Sequence, residues 1–221
     1  MKVDYKDLNF ERLGHSSVKI SGNSTPVIYI DPWSDVIEDS PEDADYVLVT
    51  HDDFDHYDPE GIEKVSNNDT HIVIYEGVDT SDLELPHGLI GVDEEGEFGG
   101  FSLKTVPAYN LTSGSHVDEK GDPYHAEGEV IGLVLKIDGI SVFYPSDTDY
   151  LDLHDEITAD VLIPPIGGHY TMNRQQAVEL AKSINPELVL PVHYDTFEPI
   201  ETEEGEFKKE LEEEGIEVQI F

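Results

Sequence analysis

The chain contains no cysteine among its 221 residues. That absence excludes disulfide bonds, thiolate metal sites and a cysteine nucleophile. Any metal ion held by this protein would therefore be bound by the side chains of histidine, aspartate or glutamate, together with water or backbone oxygen.

Basic residues are also scarce. Twelve Lys and Arg face fifty Asp and Glu, which gives a formal net charge of −38. Because no basic patch is available to neutralise phosphates, a nucleic-acid partner is not expected. The acids are scattered along the chain, which argues against the alternative of an acidic tail or a binder of basic partners. Molar salt shortens the Debye length to about 3 Å and would make such a surface tolerable. This composition resembles that of proteins from halophilic archaea.

Long apolar runs are missing as well. No segment approaches the roughly 20 apolar residues that cross a membrane, and the first residues lack the apolar core of a signal peptide. We therefore expect a cytoplasmic protein without membrane contact. No repeat, linker or shift of composition divides the chain, so residues 1–221 are predicted to form a single domain. Both a monomer and a homo-oligomer are compatible with the sequence.

Short β-branched apolar segments separated by turn residues predict strands at eleven places. These are residues 17–20, 26–30, 46–50, 71–75, 89–92, 102–106, 130–137, 141–144, 161–164, 188–192 and 217–221. Helices are predicted at residues 59–65 after Asp58, at 174–184 after Asn173 and at 207–214 before Gly215. Strands mixed with helices indicate α/β layers, and an Asp138-Gly139 hairpin indicates mixed rather than purely parallel sheets.

The densest group of potential metal ligands follows the strand predicted at 46–50. Residues 46–58 read Tyr-Val-Leu-Val-Thr-His-Asp-Asp-Phe-Asp-His-Tyr-Asp. A strand end is a rigid place from which loop side chains can converge on one point. Imidazole and carboxylate together suit zinc, manganese, iron or nickel, whereas carboxylates alone would suit magnesium or calcium. The alternative is an ordinary acidic loop in an acidic protein.

This segment resembles the His-x-His-x-Asp-His signature of the metallo-β-lactamase superfamily, with Asp53 at the place of the second histidine. Further stretches resemble the superfamily in the same order along the chain. They are Leu-Gly-His-Ser-Ser at 13–17, Ile-Asp-Pro-Trp at 30–33, Tyr-His-Ala-Glu-Gly at 124–128, Tyr-Pro-Ser-Asp-Thr-Asp at 144–149, Pro-Ile-Gly-Gly-His-Tyr-Thr-Met at 165–172 and Leu-Pro-Val-His-Tyr at 190–194. The opening and the Gly-Gly stretch are similar to the ascorbate-6-phosphate lactonase-like branch. The resemblance implies a four-layer αββα sandwich with two mixed sheets.

The resemblance also implies a centre for two divalent metal ions. Its first site would be formed by His51, Asp53 and His125, and its second by Asp55, His56 and His193, with Asp147 between them. Zinc is the expected metal. Manganese or iron are alternatives, because a carboxylate at position 53 is a harder ligand than an imidazole. A centre with one metal and a degenerate centre both stay open.

Outside the ligand set, the resemblance makes Asp31 a residue that orients the metal ligands. Asn110, His169 and His15 are candidates for substrate contact or ligand support, with loop-stabilising hydrogen bonds as the alternative. Gly167 and Gly168 would let the backbone approach a substrate closely. The remaining histidines are expected on the surface: His71, His87, His116 and His154.

The function implied is that of a hydrolase that activates water to cleave a lactone, ester or phosphoester of a small molecule. Asp55 is the expected catalytic residue, which would orient the water and shuttle its proton. Two alternatives remain. One is a diiron oxidoreductase-like protein, suggested by the carboxylate at Asp53, and the other is a non-catalytic metal-binding module with a weakened first site.

Overall fold

The computed structural model describes residues 2–221, in which fourteen strands and three α-helices follow one another. The strands are β1 (Lys2–Tyr5), β2 (Leu8–Gly14), β3 (Ser17–Gly22), β4 (Ile28–Ile30), β5 (Tyr46–Val49), β6 (His71–Tyr75), β7 (His87–Ile90), β8 (Glu95–Phe98), β9 (Phe101–Ala108), β10 (Val130–Ile137), β11 (Ile140–Tyr144), β12 (Val161–Leu162), β13 (Leu188–Val189) and β14 (Glu217–Val218). The helices are α1 (Pro59–Val65), α2 (Arg174–Ile184) and α3 (Glu204–Glu213). Short 3₁₀ helices span Ser34–Val36, Asp152–Glu156 and Glu198–Ile200.

The strands form two seven-stranded mixed sheets, one from β1 to β7 in chain order and one from β8 to β14. In each sheet the first four strands pair antiparallel and the last four pair parallel. The hairpin between β10 and β11 turns at Asp138 and Gly139, whose φ angles are 49° and 81°. Positive φ at both turn positions is typical of a type I′ hairpin, which confirms the predicted turn.

Buried side chains from both sheets share one core, to which Leu48 of β5 and Leu133 of β10 both belong. A second cluster joins the second sheet to the helices, with Phe143 of β11 packed among Leu180 of α2 and Phe207 of α3. The two mixed sheets and their helices confirm the predicted α/β class and agree with a four-layer αββα sandwich. None of the described helices combines the length and the apolar character that a membrane crossing requires.

Several strands end at the edge where the candidate site lies. β4 is followed by Asp31, β5 by Thr50 and His51, and β11 by the segment that contains Asp147. β10 runs antiparallel to β11, so its beginning, just after His125, lies at the same edge as the end of β11. The topology thereby gathers Asp31 and Asp147, which are 116 positions apart in sequence.

The structure differs from the sequence prediction at some elements. β1, β2 and β8 were not predicted, because charged residues interrupt their apolar patterns. The strands predicted at 161–164 and 188–192 are shorter, since Pro164 and Pro191 cannot donate to a sheet ladder. The strand predicted at 217–221 ends at Val218, and α3 begins three residues before the predicted start.

Candidate metal centre

The side chains of all seven predicted ligands converge at this edge. Their nitrogen and oxygen atoms form three groups, in each of which the candidate ligand atoms lie within 4.8 Å of one another. The groups are His51, Asp53 and His125; His51, His56 and Asp147; and His15, Asp55, His56 and His193. The structure therefore brings together the residues of both predicted sites and adds His15 to the second.

Asp31 organises the two histidines that follow β5. Its Oδ1 accepts the Thr50 backbone N–H at 2.9 Å, and its Oδ2 accepts the Thr50 hydroxyl and His56 Nδ1, both at 2.8 Å. Because the single hydroxyl hydrogen of Thr50 is donated to Asp31, Thr50 Oγ1 acts as the acceptor for His51 Nδ1 at 3.0 Å. The network therefore places a proton on Nδ1 of both rings and leaves each Nε2 as a potential metal ligand.

The third histidine is oriented in the same way. Asn110 Oδ1 accepts the backbone N–H of His125 at 3.0 Å and its ring Nδ1 at 3.1 Å. His125 Nε2 then faces Asp53 Oδ2 at 3.1 Å. Asn110 therefore lies beside the predicted ligand His125 and fixes its ring. Of the roles that the sequence left open for Asn110, this contact favours ligand support.

Buried nitrogen atoms without hydrogen bonds are concentrated in this cluster. Among the described residues, His51 Nε2, His56 Nε2 and His193 Nδ1 are buried and lack a hydrogen-bond partner. Buried polar atoms are normally paired, so the unpaired Nε2 atoms of His51 and His56, which lie 3.7 Å from Asp53 Oδ2 and 3.6 Å from Asp147 Oδ1, call for another occupant. A mixed imidazole and carboxylate set fits a divalent ion such as zinc, manganese or iron.

Asp147 occupies the middle of the cluster. Its Oδ2 lies 3.0 Å from His193 Nε2 and 3.9 Å from His125 Nε2, and its Oδ1 lies 3.6 Å from His56 Nε2. The carboxylate therefore contacts histidines of both predicted sites, which is the placement that a bridging ligand needs.

His15 connects the cluster to the loop after β13. Its Nε2 lies 2.8 Å from Asp55 Oδ2, its Nδ1 lies 3.0 Å from Thr196 Oγ1, and its ring centroid is 4.1 Å from that of His193. His15 and Asp55 are both buried. The imidazole thus fixes one oxygen of Asp55, so its placement favours support of the site over a purely structural role.

Hydrogen bonds and charge interactions within the cluster keep its carboxylates ionised. Burial disfavours the charged form of Asp55, but the hydrogen bond from His15 and the attraction of His56 and His193 together outweigh burial and lower the pKa of Asp55 to about 2. Burial lowers the pKa of His15 to about 4. Burial also acts against the charge of His56, yet Asp147 and Asp31 outweigh it and raise the pKa of His56 to about 10. The cluster thus favours positive charge at its centre.

Asp53 and Asp147 follow the same pattern. The hydrogen bond with His125 and the proximity of His51, whose Nε2 lies 3.7 Å from Asp53 Oδ2, hold the pKa of Asp53 well below its usual range. Burial opposes the ionisation of Asp147, but the combined attraction of His193, His56 and His125 outweighs burial and keeps the pKa of Asp147 well below the usual value. Asp53 has a side chain that is 56% exposed, so the first site is the more open of the two.

The Gly-Gly stretch serves the protein rather than the substrate. Gly167 N–H donates to His193 O at 3.1 Å, and Gly168 N–H donates to Met172 O at 3.0 Å. A Cβ on Gly167 would lie 2.3 Å from His193 O, so glycine lets the backbone approach the His193 loop. His169 lies outside the cluster, exposed, with its ring 4.3 Å from that of Tyr170.

Two histidines expected on the surface are buried, and for them the prediction was wrong. His116 is hydrogen-bonded through Nδ1 to Asp149, and His154 Nε2 lies 3.1 Å from Pro107 O. Both stabilise loops that lead to the site. His71 is exposed as predicted.

A cavity of about 320 Å³ opens onto the cluster, and two of its aromatic walls, Phe54 and Phe197, were not identified from the sequence. Its lining consists of Asp53, Phe54, Asp55, Asp147, Tyr170, His193 and Phe197. The signal for Phe54 in the sequence was its position between the acids of the central motif.

Comparisons with known proteins agree with this geometry. The β-lactamase superfamily domain family matches residues 9–193 of the chain. A UPF0173 metal-dependent hydrolase of Archaeoglobus fulgidus is 28% identical over 219 residues, which cover 94% of this chain and 92% of the relative. A crystal structure from Parabacteroides distasonis is similar to this chain, with a TM-score of 0.86 and 27% identity. The match covers 100% of this chain and 97% of the Parabacteroides chain. Igni18, a metallo hydrolase of Ignicoccus hospitalis, is similar with a TM-score of 0.78 at 26% identity, over 97% of this chain and 94% of its own.

Proposed function

The chain belongs to the β-lactamase superfamily domain family and is a metal-dependent hydrolase, and we propose that it uses two divalent metal ions to cleave a lactone, ester or phosphoester of a small molecule. The observation that carries this proposal is the pair of buried Nε2 atoms of His51 and His56, which lack partners and lie beside the carboxylates of Asp53 and Asp147. The cavity beside them has the volume of a small-molecule site.

Zinc is the first candidate for both sites, and manganese or iron are the alternatives. His51, Asp53 and His125 would hold one ion, and Asp55, His56 and His193 the other, with Asp147 shared. Asp53 supplies a hard oxygen where an imidazole would favour zinc, so the first site carries the stronger preference for manganese or iron.

When bound, the divalent ions supply a water of lowered pKa and positive charge for the developing oxyanion. The residues of the chain perform the remaining tasks. Asp55 lies at the cavity, where its carboxylate can orient the attacking water, take its proton and deliver the proton to the leaving group. His15 fixes the Asp55 carboxylate by its 2.8 Å hydrogen bond, and Asp31 fixes the ring of His56.

We also propose that the protein belongs to the ascorbate-6-phosphate lactonase-like branch and works in concentrated salt. The motifs at 13–17 and 165–172 support the first statement. The net charge of −38 supports the second, because screening by molar salt reduces the self-repulsion of such a surface.

Elemental analysis of the purified chain, paired with hydrolysis assays at molar salt, tests the function. Zinc or manganese at two ions per chain, together with turnover of lactones, esters or phosphoesters, would support the proposal. Two iron ions with oxygen consumption would instead support a diiron oxidoreductase, the candidate that the Asp53 carboxylate favours. Absence of stoichiometric metal would support a non-catalytic module.

A further inference from the structure

Phe54 is exposed at the mouth of the metal centre. Its side chain is 68% exposed, the largest fraction among the exposed large hydrophobic residues of the described chain, and it stands between Asp53 and Asp55. An edge-to-face contact with Trp33, with centroids 5.7 Å apart, holds the ring in place. A single exposed apolar residue is common on protein surfaces, so the position of Phe54 at the cavity, rather than its exposure, makes it available for contact with a ligand.

Phe54 is one of three aromatic residues that wall the cavity. Phe197 is stacked on His15 with centroids 5.6 Å apart, and Tyr170 packs edge-on against Tyr124 at 5.0 Å. Because each ring is held by a neighbour, the apolar walls exist before a ligand binds and cost little ordering entropy.

The described lining of the cavity contains no Lys or Arg. Arg174 lies 3.5 Å from Glu206 and 3.3 Å from Glu210, and the Arg12 guanidinium donates to Tyr194 O at 2.8 Å. Proteins commonly recognise phosphate groups by arginine or by free backbone N–H groups. The neighbouring Gly167 and Gly168 N–H groups are engaged within the protein. The extra charges of a phosphoester would therefore find no Lys or Arg partner among the described residues that line this cavity, and they would face the carboxylates of Asp53, Asp55 and Asp147.

We infer that the substrate is an uncharged carboxylic ester or lactone whose acyl group is apolar; this inference rests on the proposed hydrolase function. The acyl group lies against Phe54, Tyr170 and Phe197, and the carbonyl lies over Asp55 and Asp147. Water adds to the carbonyl carbon, the bond from that carbon to the alcohol oxygen breaks, and the departing oxygen takes a proton. The products are a carboxylic acid and an alcohol.

The first test uses the metal-loaded full chain and the p-nitrophenyl esters of acetate, butyrate and hexanoate, with p-nitrophenyl phosphate in parallel. Each buried methylene improves binding about fourfold, so kcat/KM for hexanoate should exceed that for acetate by at least about tenfold. Phe54→Ala should reduce this ratio to within about threefold, and Phe54→Leu should give an intermediate ratio. Turnover of the phosphate with a higher kcat/KM than hexanoate, or a ratio indifferent to Phe54→Ala, would overturn the inference.

Leu89→Ala is the matched control. Leu89 is 58% exposed on β7 and does not line the cavity, so its removal deletes a comparable exposed apolar side chain elsewhere. The hexanoate to acetate ratio should stay at the wild-type value. A drop equal to that of Phe54→Ala would contradict a local role of Phe54.

A binding measurement separates this inference from the proposed function. Trp33 is the single tryptophan and contacts Phe54, so its fluorescence reports ligands that pack there. Titration with hexanoate should change the signal at about tenfold lower concentration than titration with acetate or inorganic phosphate. Phe54→Leu should weaken the binding of hexanoate and leave the binding of acetate and phosphate unchanged. If no ester is turned over but this binding order holds, hydrolysis is contradicted and the ligand class is supported. Turnover without a chain-length preference contradicts the ligand class only.

Discussion

His56 Nδ1 lies 2.8 Å from Asp31 Oδ2, and both side chains are fully buried. The carboxylate orients the ring and increases its basicity, so Asp31→Asn should weaken metal binding at the second site by about 10–100-fold. Competition with a fluorescent chelator would measure the change. Asp160→Asn is the control, since Asp160 accepts hydrogen bonds from Ser141 rather than from a ligand. Equal affinities in the two variants would argue against the orienting role.

His193 stands next to the central carboxylate, with its Nε2 3.0 Å from Asp147 Oδ2. Loss of a residue that only hydrogen-bonds to a ligand lowers metal affinity by up to roughly 100-fold, and loss of a ligand itself should lower it further. His193→Ala should therefore release one metal ion per chain and abolish hydrolysis. Metal content after dialysis and kcat would both be measured. His71→Ala removes an exposed histidine of β6 and should change neither quantity. A His193→Ala protein with full metal and activity would refute the second site.

The resemblance to the metallo-β-lactamase superfamily implied the set of candidate ligands, because its motifs are short and lie next to strands. His51, Asp53, Asp55 and His56 fall within six residues, so one strand end suffices to bring them together. The hairpin between β10 and β11 could also be predicted, since its Asp-Gly turn and alternating pattern are local signals. Such local patterns predict structure because the backbone preferences of a few neighbouring residues, rather than packing against distant segments, determine the conformation of the turn.

Contacts between distant segments could not be predicted. His116 pairs with Asp149, 33 residues away, and nothing in the spacing of either residue indicates burial. The edge strands β1 and β8 carry charged residues on their exposed faces, so their sequences resemble loops. The aromatic walls of the cavity come from three separate loops, and their apolar side chains could equally have belonged to the core.

Asp53 is the departure from an all-histidine first site, and its Oδ2 lies 3.1 Å from His125 Nε2. Replacing this hard oxygen by a softer imidazole should favour zinc, so Asp53→His should raise the ratio of bound zinc to manganese by about tenfold or more. Elemental analysis after loading with equimolar zinc and manganese checks the ratio. Asp52→His, an exposed neighbour outside the ligand groups, should keep the wild-type ratio. An unchanged ratio in Asp53→His would mean that Asp53 is not a ligand.

Metal binding should release protons at neutral pH. The pKa of His56, about 10, lies above neutrality, so the metal-free ring carries a proton that a bound ion must displace. Affinity should therefore rise with pH, by up to about tenfold per unit for each displaced proton, giving about 100-fold between pH 6 and pH 8 for one proton. His15, with a pKa of about 4, is neutral in this range and adds no slope. Calorimetry in buffers of different ionisation heat would count the protons, and a count of zero would contradict the assignment.

The acidic surface should make folding depend on salt. On α3 and its flanks, exposed glutamates such as Glu206 and Glu213 face solvent, while Lys182 and Lys208 are already paired with Glu214 and Glu212. The remaining repulsion acts over a Debye length of about 30 Å at 0.01 M salt and about 3 Å at 1 M.

Raising sodium chloride from 0.01 M to 2 M should therefore raise the melting temperature by at least about 10 °C, the shift that a few kcal/mol produces in a chain of this length. Potassium chloride should act equally, since screening depends on ionic strength and not on a specific ion. Sucrose at matched osmolality is the control, because it stabilises by exclusion without screening charge. A melting temperature indifferent to both salts, or one raised as much by sucrose, would show that the acids do not set the stability of this fold.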